Sequence, residues 1–237
     1  LLQAHAQSYN RRYDPFALGL AEFGWSVEHD PAGDPVVLFN SAWQDSLFYS
    51  SVVGSLRLNA QGTPLDTGRF SYPLHATYAG WCNASDRRMD GGFVVGGNTY
   101  VADGTSRAAL FLLDPSGQPE GIIEYGDVGD VWVGRQAKQT PDGGYVVVGE
   151  TTTVGVIDAF LLKTDTLGNV EWVRTYGTTD GDYSNTVDMD QNGGYFMGGQ
   201  IKITSENRQL WVQAVNDTGG VVWERSWGSP YYEPGAQ

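Results

Sequence analysis

Three shortages bound this chain before any motif is read. It has one cysteine, Cys82, in 237 residues, so no internal disulfide and no cysteine-based zinc site can hold it together. Basic residues are scarce: 14 Lys and Arg stand against 28 Asp and Glu, a formal charge of −14. Such an acidic body repels nucleic acid and anionic membrane surfaces, and lacks the phosphate-neutralising attraction on which nucleic-acid binding rests. Nowhere does the sequence hold the ~18 consecutive apolar residues of a spanning helix, so no membrane insertion is expected. Histidine is limited to His5, His29 and His75, without partners at spacings that suit a hydrolytic triad or a metal cluster. No GxGxxG opens a helix, and P-loop and GxSxG motifs are missing. Helical periodicity is absent too; only Asp14–Ala21 comes near it, and that stretch is short.

What remains is rich in glycine, with 32 residues, roughly twice the usual ~7%, and it is repetitive. The stretch Asp165-Thr166-Leu167-Gly168-Asn169-Val170-Glu171-Trp172 returns 51 residues later as Asn216-Asp217-Thr218-Gly219-Gly220-Val221-Val222-Trp223. Tyr125-Gly126, Tyr176-Gly177 and Trp227-Gly228 keep the same step, and Gly91-Gly92, Gly143-Gly144 and Gly193-Gly194 keep it within one residue. A fixed period near 50 with strand-like content predicts an all-β protein, a β-propeller built of four-stranded antiparallel blades.

Each unit reads as four strand-like pieces. A first piece such as Ser184–Asp190 runs into the glycine pair, and a second apolar run follows: Phe93–Gly97, Tyr145–Gly149 or Tyr195–Gly199. Asp90-Gly91 and Asp142-Gly143 predict two-residue hairpins, since glycine takes the positive φ of such turns. The closing glycines of the second run predict strands too crowded for a side chain. The third piece ends in Asp or Asn, opening a turn that Gly117, Gly168 or Gly219 closes. The fourth alternates, with Val170, Trp172, Arg174 and Tyr176 on one face, as in a half-buried strand. The expected blades are 22–77, 78–130, 131–182 and 183–229, the first the most worn, with a fifth opening at 230–237. About four blades of a larger ring are therefore expected, as a fragment. Residues 8–21 would lead in. Residues 1–7, Leu-Leu-Gln-Ala-His-Ala-Gln, match the end of a secretory signal, with Ala4-x-Ala6 as the cleavage pattern.

The run Asp142–Gly149, the segment Phe160–Trp172 and Thr175-Tyr176-Gly177 together resemble the β-propeller repeats of large secreted bacterial surface proteins, many exported by the type IX secretion system. The resemblance covers 131–229 best, 78–130 less well and the rest weakly. It implies a propeller in an extracellular or cell-surface setting, and no active site. Asp165-x-x-Gly168-x-x-x-Trp172 also looks like the tryptophan-docking motif of quinone-dependent alcohol dehydrogenase propellers, with Leu167 where that motif has Thr. This implies that Trp172 and Trp223 pack flat between blades.

Candidate chemistry is thin. Asp188, Asp190 and Asn192 alternate like the first half of a calcium loop, but Gly199 occupies the place of the bidentate glutamate. An ordinary turn accounts for them as well. Asp127/Asp130 and Asp180/Asp182 pair carboxylates in inter-blade loops, as a glycosidase would across a cleft. Trp25, Trp43, Phe48, Tyr49, Tyr72, Tyr78, Tyr183, Tyr231 and Tyr232 lie outside the repeat columns and could stack on sugars or pack inside. Cys82, after Trp81 in a strand-like stretch, suits a buried, inert thiol. The expected function is a non-catalytic binding, adhesion or scaffold module, needing no cofactor, with an extracellular protein or glycan as partner. The alternative is a secreted polysaccharide hydrolase or lyase with loop carboxylates.

Overall fold

The computed structural model describes residues 21–44, 49–70, 76–80, 83–100, 105–127, 129–153, 155–204 and 207–228. The protein is all-β: these residues form seventeen strands and no helix. Among them no helix is long and apolar enough to cross a membrane. The expected signal remnant 1–7, nearly all of the lead-in segment, the start of a fifth unit, and Cys82, His5 and His75 lie outside the described residues.

Four antiparallel meanders follow one another. The first is β1 (Ala21–His29), β2 (Pro35–Gln44), β3 (Tyr49–Leu58) and β4 (Pro64–Arg69). The second opens with a strand in two pieces, β5 (Ala76–Ala79) and β6 (Ser85–Arg87), and continues with β7 (Phe93–Tyr100), β8 (Ser106–Leu113) and β9 (Pro119–Tyr125). The third is β10 (Val131–Gln139), β11 (Tyr145–Thr153), β12 (Val156–Thr164) and β13 (Val170–Tyr176). The fourth is β14 (Tyr183–Met189), β15 (Tyr195–Thr204), β16 (Asn207–Val215) and β17 (Val221–Trp227). The expected boundary between residues 77 and 78 falls inside β5, so the second meander starts earlier. A single parallel pairing, Val131 opposite Ser106, joins the second and third meanders into one nine-stranded sheet.

The turns come from short polar side chains and glycine. Asp114 accepts the N–H groups of Ser116 and Gln118 on one carboxylate oxygen, and Gly117 follows at φ +84°. Asp30, Asn59, Asp165 and Asn216 do the same, each followed three residues later by a positive-φ glycine. These side chains substitute for backbone partners that a tight turn cannot supply. The loops at Asp90-Gly91 and Asp142-Gly143 are longer than the expected two residues. Thr140 N–H donates to Gly144 O at 2.9 Å and Gly143 N–H to Thr140 O at 2.8 Å, leaving three residues in the loop. Pro141 presets the φ of a type I turn and Gly143 closes it in the left-handed region, the second common hairpin solution.

Each opening strand carries an irregularity at one place. Trp25, Arg135 and Asn185 are extra residues against β2, β11 and β15. In the second meander the pairing of the opening strand steps from Ala79 opposite Gly97 to Ser85 opposite Val95, and Asn83 takes φ +65°. Beside these bulges lie the closing glycines. A Cβ on Gly97, Gly149 or Gly199 would stand 2.0, 1.9 or 1.8 Å from the carbonyl oxygens of Tyr78, Val133 and Tyr183, so only glycine fits. A second bulge in the outer hairpins places Glu171 outside the register of β13. This breaks the expected alternation: only Tyr176 is buried and Trp172 half-buried, while Val170 and Arg174 are exposed.

Successive meanders pack face to face: β5 on β3, β10 on β7 and β8, β14 on β11 and β12. Three apolar cores form at these junctions. The first joins Val36, Val53 and Phe70 to Phe93 and Phe111. The second joins Val94, Leu110 and Tyr125 to Trp132 and Phe160, and the third Val146, Leu161 and Tyr176 to Tyr195 and Trp211. Each large buried side chain contributes about 1.5–3 kcal/mol. One hydrogen bond recurs at all three junctions. Ser55 Oγ, Tyr125 OH and Tyr176 OH donate to the carbonyls of Gly117, Gly168 and Gly219 at 2.5, 3.1 and 2.8 Å. Burial pushes the Tyr176 phenol up to about 12, so it remains a neutral donor. Trp172 meets Tyr195 across the third junction at 6.0 Å with planes tilted by 59°. It is therefore not packed flat, because its ring meets an aromatic edge. Trp223 packs on Phe196 of its own meander, tilted by 41°, and stays partly exposed.

Candidate functional site

The meanders have two unlike ends. One carries the turns within the β1–β2 and β3–β4 hairpins and their counterparts, each with a positive-φ glycine and nearly all with an Asx bond to backbone. At the opposite end the second strands finish and the third begin, and the segments that join them, like those that join successive meanders, differ in length and sequence. Variable connections on a rigid scaffold are where binding residues concentrate.

Aromatic and charged side chains gather at this second end. Tyr78, in β5, meets Tyr100, the last residue of β7, edge to face at 5.3 Å and 84°. Tyr100 is exposed. At the corresponding place in the fourth meander, the Arg208 guanidinium lies over the Tyr183 ring at 4.3 Å and donates to its hydroxyl at 3.1 Å. Between these pairs, Arg135 in its bulge grips both oxygens of Glu150. Arg107 approaches Glu124 at 3.7 Å, and Thr99 donates to the same carboxylate.

Asp180 and Asp182 take separate partners. Asp180 faces the Lys202 ammonium at 3.7 Å. Asp182 is buried and receives the backbone N–H groups of Thr178 and Lys202, so it anchors its connection. Asp182 converges instead with Asp158, on β12: both approach within 3 Å of where a Gly177 Cβ would stand. Burial, then the Asp182 charge, raises the Asp158 carboxyl above its ordinary range. Asp127 and Asp130 are linked through backbone, Asp130 N–H to Asp127 O at 3.4 Å.

The calcium candidates separate. Lys138 from the third meander takes Asp188 at 3.0 Å, whereas Asp190 accepts the Asn192 side-chain amide at 3.2 Å. Asp188 is thus engaged by the third meander, while Asp190 and Asn192 bond each other within their turn. Among the described residues no group of three or more His, Cys, Asp or Glu is placed to hold a metal ion. His29 is exposed. Of the aromatics singled out above, Trp25 packs against the first core, and Tyr78 and Tyr183 reach the variable end. The side chains of Trp43, Phe48, Tyr49, Tyr72, Tyr231 and Tyr232 lie outside the described set. Sequence reading missed Tyr100, Asp158 and Arg208. Each sits at a strand end whose neighbour is set by sheet pairing, although strand-end aromatics and charges beside loops were visible signals.

Scanning protein-family models and searching the curated proteins give no match to this chain.

Proposed function

We propose that the chain is a secreted or cell-surface β-propeller module that binds or scaffolds without catalysis of its own. Its variable end meets an extracellular protein or a glycan. Four-stranded meanders packed face to face, each on the next, support the propeller reading. The secretory pattern at residues 1–7 and the resemblance to type IX cargo repeats support the compartment. The observation that carries the binding role is the asymmetry of the two ends. One is uniform and closed on itself; the other offers Tyr78 with exposed Tyr100, and Tyr183 with Arg208. Aromatic faces beside hydrogen-bonding charges suit sugars and peptides alike. Asp182, buried and bonded to backbone, is spent on structure, which weighs against a hydrolytic pair.

A glycan array and a pull-down against extracellular proteins test this with the full chain. The expected result is retention of a defined glycan class or protein, weakened about two- to tenfold by Tyr100→Ala, since an aromatic contact is worth roughly 0.5–1.5 kcal/mol. Turnover of a polysaccharide, or no retained ligand at all, would overturn the reading.

A further inference from the structure

Among the described residues, Asp158 has no hydrogen-bond donor and no ion-pair partner, although it is half-buried near the start of β12. Its neighbour is a second carboxylate, Asp182, the residue before β14. Asp182 N–H donates to Ile157 O at 2.9 Å, which lays the start of β14 beside the start of β12. Asp158 Oδ1 and Asp182 Oδ2 then stand 2.6 and 2.9 Å from the point that a Gly177 Cβ would occupy. Gly177 takes no positive φ, unlike its counterpart Gly126 at +117°. What glycine supplies at 177 is room beside the two oxygens.

A third oxygen adjoins them. Thr151 lies opposite Asp158 in the β11–β12 ladder, so their side chains leave the same face as near neighbours. Thr151 is fully buried, and its hydroxyl has no hydrogen-bond partner among the described residues. An orphaned hydroxyl beside two facing carboxylates is unfavourable unless a positive charge joins them. The same place in the second meander holds Arg107, which approaches Glu124, and in the fourth it holds Gln209.

We infer that Asp158, Asp182 and Thr151 bind a calcium ion where the third meander meets the fourth. Both Asp182 oxygens can still serve after accepting the Thr178 and Lys202 N–H groups, since a carboxylate oxygen accepts twice. Oxygen ligands drawn from three separate strand ends suit the tolerant geometry of calcium better than the strict octahedron of magnesium. This goes beyond the binding role proposed above and does not depend on it.

Urea unfolding of the full chain at pH 7 tests it, in EDTA and in calcium chloride at matched ionic strength. Calcium up to about 10 mM exceeds the ~10⁻⁴–10⁻³ M at which weak extracellular sites fill. The wild-type midpoint should rise with calcium, because a ligand of the folded state alone stabilises it. Asp158→Asn should have the higher midpoint in EDTA and gain nothing from calcium. Thr151→Val, which keeps both charges, should lose most of the calcium shift. A wild-type midpoint that calcium leaves unchanged would overturn the proposal. So would an equal rise in wild type and Asp158→Asn, because that is calcium acting on the acidic surface at large. Should Asp158→Asn not fold, Thr151→Val decides, and an undiminished shift in it counts against the site.

Discussion

Gln136 shows how much one side chain can carry here. It is buried in β10, between the second and fourth meanders. Its amide donates to Asn83 O at 2.7 Å on one side and accepts Val187 N–H at 2.7 Å and Thr186 Oγ1 at 3.0 Å on the other. Bonds of this kind add little net stability when made, but an orphaned buried partner costs about 1–3 kcal/mol. Gln136→Leu keeps much of the volume and strands both Asn83 O and Val187 N–H. It should lower the unfolding free energy by about 2–4 kcal/mol, read as a lower urea midpoint at unchanged slope. No neighbouring residue in the sequence announces this role, since 83, 136 and 187 are brought together only by the bulges.

For the strands, the decisive feature is the crowding beside those bulges. Gly149 and Gly155 are both glycines of the third meander, yet they answer to different constraints. Gly149 faces Val133 O at a distance no Cβ tolerates, whereas Gly155 has φ +86° and open space around it. Gly149→Ala must push β10 away from β11, a strain at or above the upper end of the ~1–3 kcal/mol of overpacking. Gly155→Ala meets only left-handed backbone strain of about 1–2 kcal/mol. Thermal melts of the two variants should therefore rank Gly149→Ala as the more damaging. The glycine runs and Asx turns were legible in the sequence because positive φ and self-bonding side chains are local requirements. The three-residue loop at 141–143 was not, because Asp-Gly suits two hairpin geometries and strand twist chooses between them.

Over the whole molecule, acid should be the sensitive direction. Burial works against the charge on Asp142, but bonds from Thr140, Lys163 and the Gly144 N–H outweigh it and hold its pKa down to about 2, against an ordinary 3.8. The Asp30 and Asp114 carboxyls are also lowered: burial opposes it, while backbone and side-chain donors prevail. A group depressed in the folded state contributes stability above its unfolded pKa and loses it as pH falls through the folded one. The urea midpoint should accordingly decline between about pH 4 and pH 2, with a smaller decline in Asp142→Asn. Asp158 has the opposite sign, its pKa raised by burial and by Asp182. Asp158→Asn should therefore raise the midpoint at neutral pH, and that gain should vanish once acid protonates Asp158 in the parent chain.

Strand identity, turn positions and the four-strand unit belong to the sequence by itself. They depend on side-chain alternation, on glycine's access to positive φ, and on Asp or Asn bonding backbone two and four residues on. All of these act within a few residues. Only the tertiary structure decided that Asp158 joins Asp182 rather than Asp180, that Lys138 pairs with Asp188, and that Tyr100 meets Tyr78. Those meetings depend on how sheets are offset and tilted against one another, and that offset is set jointly by bulges and buried side chains spread over two meanders.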